Sequence, residues 1–375
     1  MRLGLDTINT GISDVGAIGA LNANRLGGLD RAAFVAAGRT RVLADVMSAA
    51  GFRGELEPLR QVSFNRSRLA DLACQRELEP DEVAVDEIAG DYRYGRDLTT
   101  AEECERWLMD RGLSVEDFQA HCLRVYWEKQ LAGDEGGGGN GADDEPEEVA
   151  RWFEVDLLLS DDFDRLARQL AWRAALACDH HLRDISTQPT AASTTLPPGD
   201  SDGISSGVAT TPDRIEELRR MEDTFQTRCR ELLTVENQRR CLASLRLPLT
   251  RFELDILQLD EDLAAREAYL CITQDHMSLA EVAVEADYEL SSLSTLLQDL
   301  RQEWQPIVLS AAVGTVLPPF GSGEERFLCL VTSKQEPTLD RPEVETRVNR
   351  TILRQHFMEL EARHVQWQIR VDPAA

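Results

Sequence analysis

The sequence predicts an α+β chain, mainly helical through its N-terminal part, with a small mixed domain towards its end. Three observations carry this expectation. The run Phe252-Glu253-Leu254-Asp255-Ile256 alternates apolar and polar residues, as a half-buried strand does. Leu279, Val282, Ala283 and Ala286 fall at i, i+3, i+4 and i+7, which makes one apolar face of a helix over Ser278–Asp287. Upstream, from Leu78 to Leu131, helix-starting signals follow one another closely.

Residues 1–28 are rich in Gly, Asn, Ser and Ala without clear periodicity, and a loose arm is expected there. Arg31–Ala50 reads as a helix with Phe34, Val35, Val42, Leu43 and Val46 on its apolar side, stopped by Gly51. It opens a helical region over 29–132. Pro80 stands near the first turn of a helix beginning at Glu79-Pro80-Asp81-Glu82. Thr99 or Thr100 caps the next helix, with Glu103 placed for a capping box and Cys104, Trp107 and Leu108 facing inward. Ser114 starts another, followed by Phe118, Cys122, Val125 and Tyr126 at helical spacing.

An acidic Gly-rich linker is expected over 133–150, where the ligand spacing of a calcium loop is missing. Trp152–Ile185 returns to helix and carries Cys178-Asp179-His180-His181. Neighbouring residues sit about 100° apart on a helix, so these are read as an ordinary helix end and no metal site is expected. A Ser/Thr/Pro-rich linker over 186–211 leads to one long helix from Pro212 to about Leu245, within a segment ending at 247. The mixed domain spans 248–341: the strand at 252–256, a helix over Leu263–Ile272, the helix at 278–287, a loop region, the turn Gly321-Ser322-Gly323 and the apolar strand Phe327–Val331. In the last segment, 342–375, a helix runs from Pro342 to about Glu361. A strand follows, with Val365, Trp367, Ile369 and Val371 on one face.

Composition narrows the function. The chain has 375 residues, 42% of them hydrophobic, and a net charge of −27. So acidic a protein is not expected to bind nucleic acid. No run approaches the roughly 18 apolar residues of a membrane span, and Met1–Asp6 lacks a secretory pattern. A cytoplasmic protein without membrane insertion is the expectation. The eight cysteines form no C-x-x-C pair and read as reduced core residues. Hydrolase motifs, P-loops, Rossmann fingerprints and zinc signatures are absent, and no cofactor is expected.

Four phrases in order, "FELDILQLDEDLAAREAYLCI", "SLAEVAVEADYE", "SAAVGTVLPPF" and "ERFLCLVTSKQEPTLDRPEVETRVNRTILRQHF", resemble the parvulin (rotamase) family of peptidyl-prolyl isomerases over roughly the last third of the chain. The phrase "TTAEECERWLMDRGLSVEDFQAHCLRVYWEKQL" resembles the helical N-terminal part of SurA-like chaperones. The resemblance implies a parvulin-like α+β domain beside a SurA-like helical region, with the end strand or helix folding back on the helical part. The sequence departs from the family where histidines are usual. Asp255 stands at the first-strand position, the last-strand position falls near Phe327, and "LSSLSTLLQDL" replaces a Gly-Gly segment.

Such isomerases lower a rotation barrier of roughly 18–20 kcal/mol by stabilising a twisted X–Pro bond. Without the histidine pair, the resemblance implies a degenerate parvulin. It would be a peptide-binding chaperone, or a factor for maturation or export of precursor peptides, with isomerase activity weak or lost. Its partners would be unfolded or precursor segments, held in a groove between the helical region and the mixed domain. The candidate groove residues are Leu254, Ile256, Trp304, Val316, Leu317, Phe320, Phe327 and Cys329. One alternative is an active isomerase with Asp255, Cys329 and His276 as a rearranged polar cluster. The other is a non-catalytic scaffold or adaptor, in which the same apolar residues are all buried.

Overall fold

A computed structural model describes residues 28–132, 147–187, 212–321 and 325–372. The arm expected over 1–28 and the linkers expected over 133–150 and 186–211 fall almost wholly outside these, as do the side chains of His180 and His181. The fold is α+β, mostly helical with two small antiparallel sheets. The chain divides into two compact units. Residues 229–355 form one; the described residues up to 228, with those from 356 on, form the other.

The first unit in chain order begins with a hairpin of strands β1 (Ala32–Ala36) and β2 (Arg39–Val42), followed by helix α1 (Leu43–Phe52). Here the single helix expected over Arg31–Ala50 is wrong in its first half. Ala37 and Gly38 both take positive φ, 53° and 70°, the turn geometry that matches the twist of a two-stranded ribbon. A register shift between Ala32 and Phe34 buries the consecutive residues Ala33 and Phe34, which breaks the alternation a strand usually shows. The third strand of this sheet comes from the far end of the chain.

Helices α2 (Leu56–Gln75), α3 (Glu82–Gly95), α4 (Ala101–Asp110) and α5 (Val115–Leu131) follow. Asp81 caps α3, leaving Pro80 just outside it. Thr100–Glu103 and Ser114–Asp117 form reciprocal capping boxes on α4 and α5. Cys104, Trp107, Leu108, Phe118 and Cys122 all enter one core. The helix expected from Trp152 to Ile185 is two, α6 (Glu147–Leu159) and α7 (Asp161–Thr187). Ser160 makes the break: its Oγ donates to Leu157 O at 2.7 Å and accepts from Phe163 N at 3.3 Å. The long helix expected over 213–245 is likewise two, α8 (Pro212–Leu232) and α9 (Val235–Ser244). Thr234 caps the second by accepting from Asn237 N at 3.3 Å.

The 229–355 unit is built on strand β3 (Arg251–Leu259), which lies between β4 (Leu290–Leu296) and β5 (Arg326–Gln335). Both neighbours are antiparallel to it. Helices α10 (Asp262–Thr273) and α11 (Leu279–Glu285) cover one face through Ala265, Ala268, Leu279, Val282 and Ala283, against Leu257, Leu259 and Leu328. Ser278 caps α11, and Ala286, expected on its apolar face, is exposed past its end. The other face carries a 3-10 turn at Leu297–Asp299 and helix α12 (Gln305–Ser310), with Trp304 between them.

Helix α13 (Pro342–His364) begins in this unit and ends in the other, and β6 (Val365–Trp367) closes the chain's regular structure. Strand β6 pairs with β1, Phe34 opposite Trp367, so the C-terminal strand does fold back on the helical part. It is shorter than the alternation over 365–371 suggested, although Ile369 beyond it is buried.

Candidate functional site

Alternation along β3 and β5 assigns the sheet faces of the 229–355 unit. Phe252, Leu254 and Ile256 share a face with Phe327, Cys329 and Val331, since Leu254 lies opposite Val331 and Ile256 opposite Cys329. Leu297, Leu300, Trp304, Val308 and Leu317 close over this face, with Phe320, Ile307 and Ala311 half-buried at its margin. Trp304 meets Phe327 at 4.8 Å and Phe320 at 5.0 Å between ring centres, the latter edge-on at 87°.

The segment that carries Leu317 and Phe320 is held along the outer rim of β5. Leu317 N donates to Cys329 O at 2.8 Å, and Phe320 exchanges backbone bonds with Phe327 at 3.2 and 2.8 Å. Gly321 then takes φ 132°, and a Cβ there would lie 2.3 Å from Glu325 O, so only glycine fits this point of the chain. The rest of the turn expected at Gly321-Ser322-Gly323 lies outside the described residues.

Of the residues expected to contact peptide, Leu254, Ile256, Trp304, Leu317, Phe320 and Phe327 converge on this one apolar face. Val316 does not; it joins the α10–α11 side with Leu330. The convergent set is mostly core. Leu254, Leu317, Trp304 and Phe327 are buried, and Ile256 and Phe320 are half-buried.

The candidate polar cluster is dispersed. Cys329 is fully buried in the apolar face. Burial, and after it the Asp255 carboxylate, pushes its thiol up to about 12, so it stays protonated and unreactive near neutrality. Asp255 is opposite Leu330, on the other side of the sheet, and accepts from Ser292 Oγ at 2.7 Å. His276 is exposed in the turn after α10, at φ 60°. The strand register thus directs Asp255 and Cys329 away from each other, and His276 belongs to a separate turn.

Strand β4 was hidden in the sequence. Leu290, Leu293 and Leu296 recur every three residues, which imitates a helix, yet they stand in a ladder with β3. Its serines bind the carboxylates of the neighbouring strand: Ser292 that of Asp255, and Ser294 that of Glu253 at 2.9 Å. The small polar residues between the leucines were the available signal. A cavity of about 630 Å³ lies elsewhere in this unit, lined by Leu245, Leu249, Asp299, Glu343 and Arg347 among others.

No family model and no curated protein matches the chain. Solved structures do. The foldase protein PrsA from Streptococcus pneumoniae is 11% identical over 91% of this chain and 96% of its own, with a TM-score of 0.28. The foldase protein PrsA from Lactococcus lactis is 9% identical over 90% and 95%, at 0.26. A structure of the SurA-like chaperones of Campylobacter jejuni, PEB4 and Cj1289, gives 9% identity over 90% and 98%, at 0.19. Values this low carry neither fold nor activity over to this chain. No helix among the described residues is long and apolar enough to cross a membrane.

Proposed function

We propose that this chain is a parvulin-related, peptide-binding chaperone that grips extended segments of unfolded or precursor protein and turns proline weakly or not at all. The observation that carries the reading is the apolar face of the β4-β3-β5 sheet. Leu254, Ile256, Trp304, Leu317, Phe320 and Phe327 gather there, with Ile256 and Phe320 half-buried at its margin. Rotamase chemistry needs polar groups placed around an apolar proline pocket; here the buried thiol and the Asp255 carboxylate lie on opposite faces. An active isomerase built from Asp255, Cys329 and His276 is therefore the weaker reading. The setting proposed is maturation or export of precursor peptides, handled in the cytoplasm.

A scaffold without a peptide site is the second reading, and the burial of Leu254, Leu317, Trp304 and Phe327 favours it. NMR line broadening of unfolded, apolar-rich peptides separates the two. A chaperone broadens them, and Phe320→Ala weakens the effect about three- to tenfold by removing a half-exposed aromatic contact. Sharp, unshifted peptide lines with the full chain would leave the scaffold.

A further inference from the structure

Among the described residues, strand β4 has an open edge. On the opposite side of the sheet the rim of β5 is occupied by residues 314–320. On the β4 side, no backbone bond among the described residues reaches 290–295 apart from the ladder to β3. Ser291, Ser292, Leu293 and Ser294 are all exposed, Leu293 by 39%. Exposed edges are usually blunted by a lysine, a proline, a bulge or shortness. The seven residues Leu290–Leu296 contain no charge and no proline, and their register with β3 runs without a shift.

A second observation concerns charge. Glu253 and Asp255 are half-buried on the strand next to this edge, and their side chains accept only from Ser294 and Ser292. Neither makes an ion pair among the described residues. The cation on the same face, Arg251, donates to Ser294 Oγ at 2.9 Å and pairs with Glu343. Two carboxylates without a direct ion pair among the described residues therefore stand behind two small hydroxyl side chains at an open rim.

We propose that the β4 edge receives an extended peptide as a further strand, and that this peptide alternates apolar with cationic residues. Backbone bonds to β4 supply sequence-independent affinity, and alternate side chains supply selectivity. On one face an apolar residue lies against Leu293, which neighbours Leu254. On the other, Lys or Arg stems cross the serines toward Glu253 and Asp255. Strands are spaced about 4.8 Å apart, so these carboxylates are two strand spacings from the added chain, within reach of a long cationic side chain. This deepens the peptide-binding reading and rests on it.

The test uses the full chain and a fluorescent seven-residue peptide alternating Val and Lys, with binding read by anisotropy. Two further versions carry N-methyl groups on alternate backbone amides, one set on each edge. All three have the same charge, so general attraction to a protein of net charge −27 acts on them equally. The parent peptide is expected to bind, and one methylated version to weaken by about tenfold or more, since several backbone bonds are lost. The double variant Glu253→Gln with Asp255→Asn is expected to weaken the parent about three- to tenfold and to flatten its salt dependence. Equal binding of all three peptides overturns the edge proposal while leaving peptide binding in place. So does failure of the parent peptide when proline-containing peptides still bind. If no peptide binds, both readings fall.

Discussion

Cys329 shows how one side chain excludes a chemistry. Its thiol faces the apolar side of the sheet, fully buried, and holds its proton to about 12, against 9.0 for a free thiol. The linkage follows directly. Below about pH 9 neither folded nor unfolded chain ionises this group, and its contribution to stability is complete. As pH rises from about 9 to about 12 the unfolded thiol releases its proton first, so stability is lost through that window. Cys122, also pushed up to about 12 by burial, adds to the same loss. Urea unfolding at about pH 8 and about pH 10.5 should show a lower midpoint at the higher pH, and Cys329→Ala should reduce that difference without abolishing it. An unchanged difference in the variant would place the sensitivity elsewhere.

Among the elements, α2, α5 and α6 are joined by a buried polar group centred on Asp156. Ser63 donates to it at 2.8 Å, Arg124 at 2.5 Å, and His121 Nδ1 lies 2.9 Å away. Burial pushes the Asp156 carboxyl up, but the His121 and Arg124 contacts outweigh this and hold it below the ordinary carboxylate range. Its stabilisation is therefore present above the usual Asp range and lost as pH falls through the lowered value. Asp156→Ala leaves a buried guanidinium without its carboxylate, and a loss of about 3–5 kcal/mol is expected in urea unfolding. A loss below about 1 kcal/mol would mean that water or repacking replaces the carboxylate.

Elements were legible where local chemistry decides them. The capping boxes at Thr100 and Ser114, the alternation of β3 and the stripe of α11 are written within a few residues. The β1–β2 hairpin was not, because β1 draws its other partner, β6, from more than three hundred residues away. Breaks at Ser160 and Thr234 were missed because helical periodicity continues across them; a side-chain cap, not an apolar gap, makes each break. The apolar half of the candidate site was readable, since large residues on one strand face must meet. The polar half was not: placing Asp255 and Cys329 relative to each other required the register of β3 against β5.

At the scale of the whole molecule, acidity bears on which partners the proposed peptide site would favour. A net charge of −27 repels anionic polymers and attracts basic segments. The 229–355 unit supplies a sheet packed on both faces and, among the described residues, open at its β4 edge. The central claim is that such a unit holds peptide without efficiently rotating proline. The most direct measurement is the cis–trans exchange rate of a panel of X–Pro peptides, read by NMR with and without the full chain. The result expected is broadened peptide resonances with an exchange rate within about twofold of the uncatalysed one, which is set by a barrier of roughly 18–20 kcal/mol. Strong acceleration by the full chain would contradict the account, since it would require an efficient catalytic site that the separation of Asp255, Cys329 and His276 does not supply.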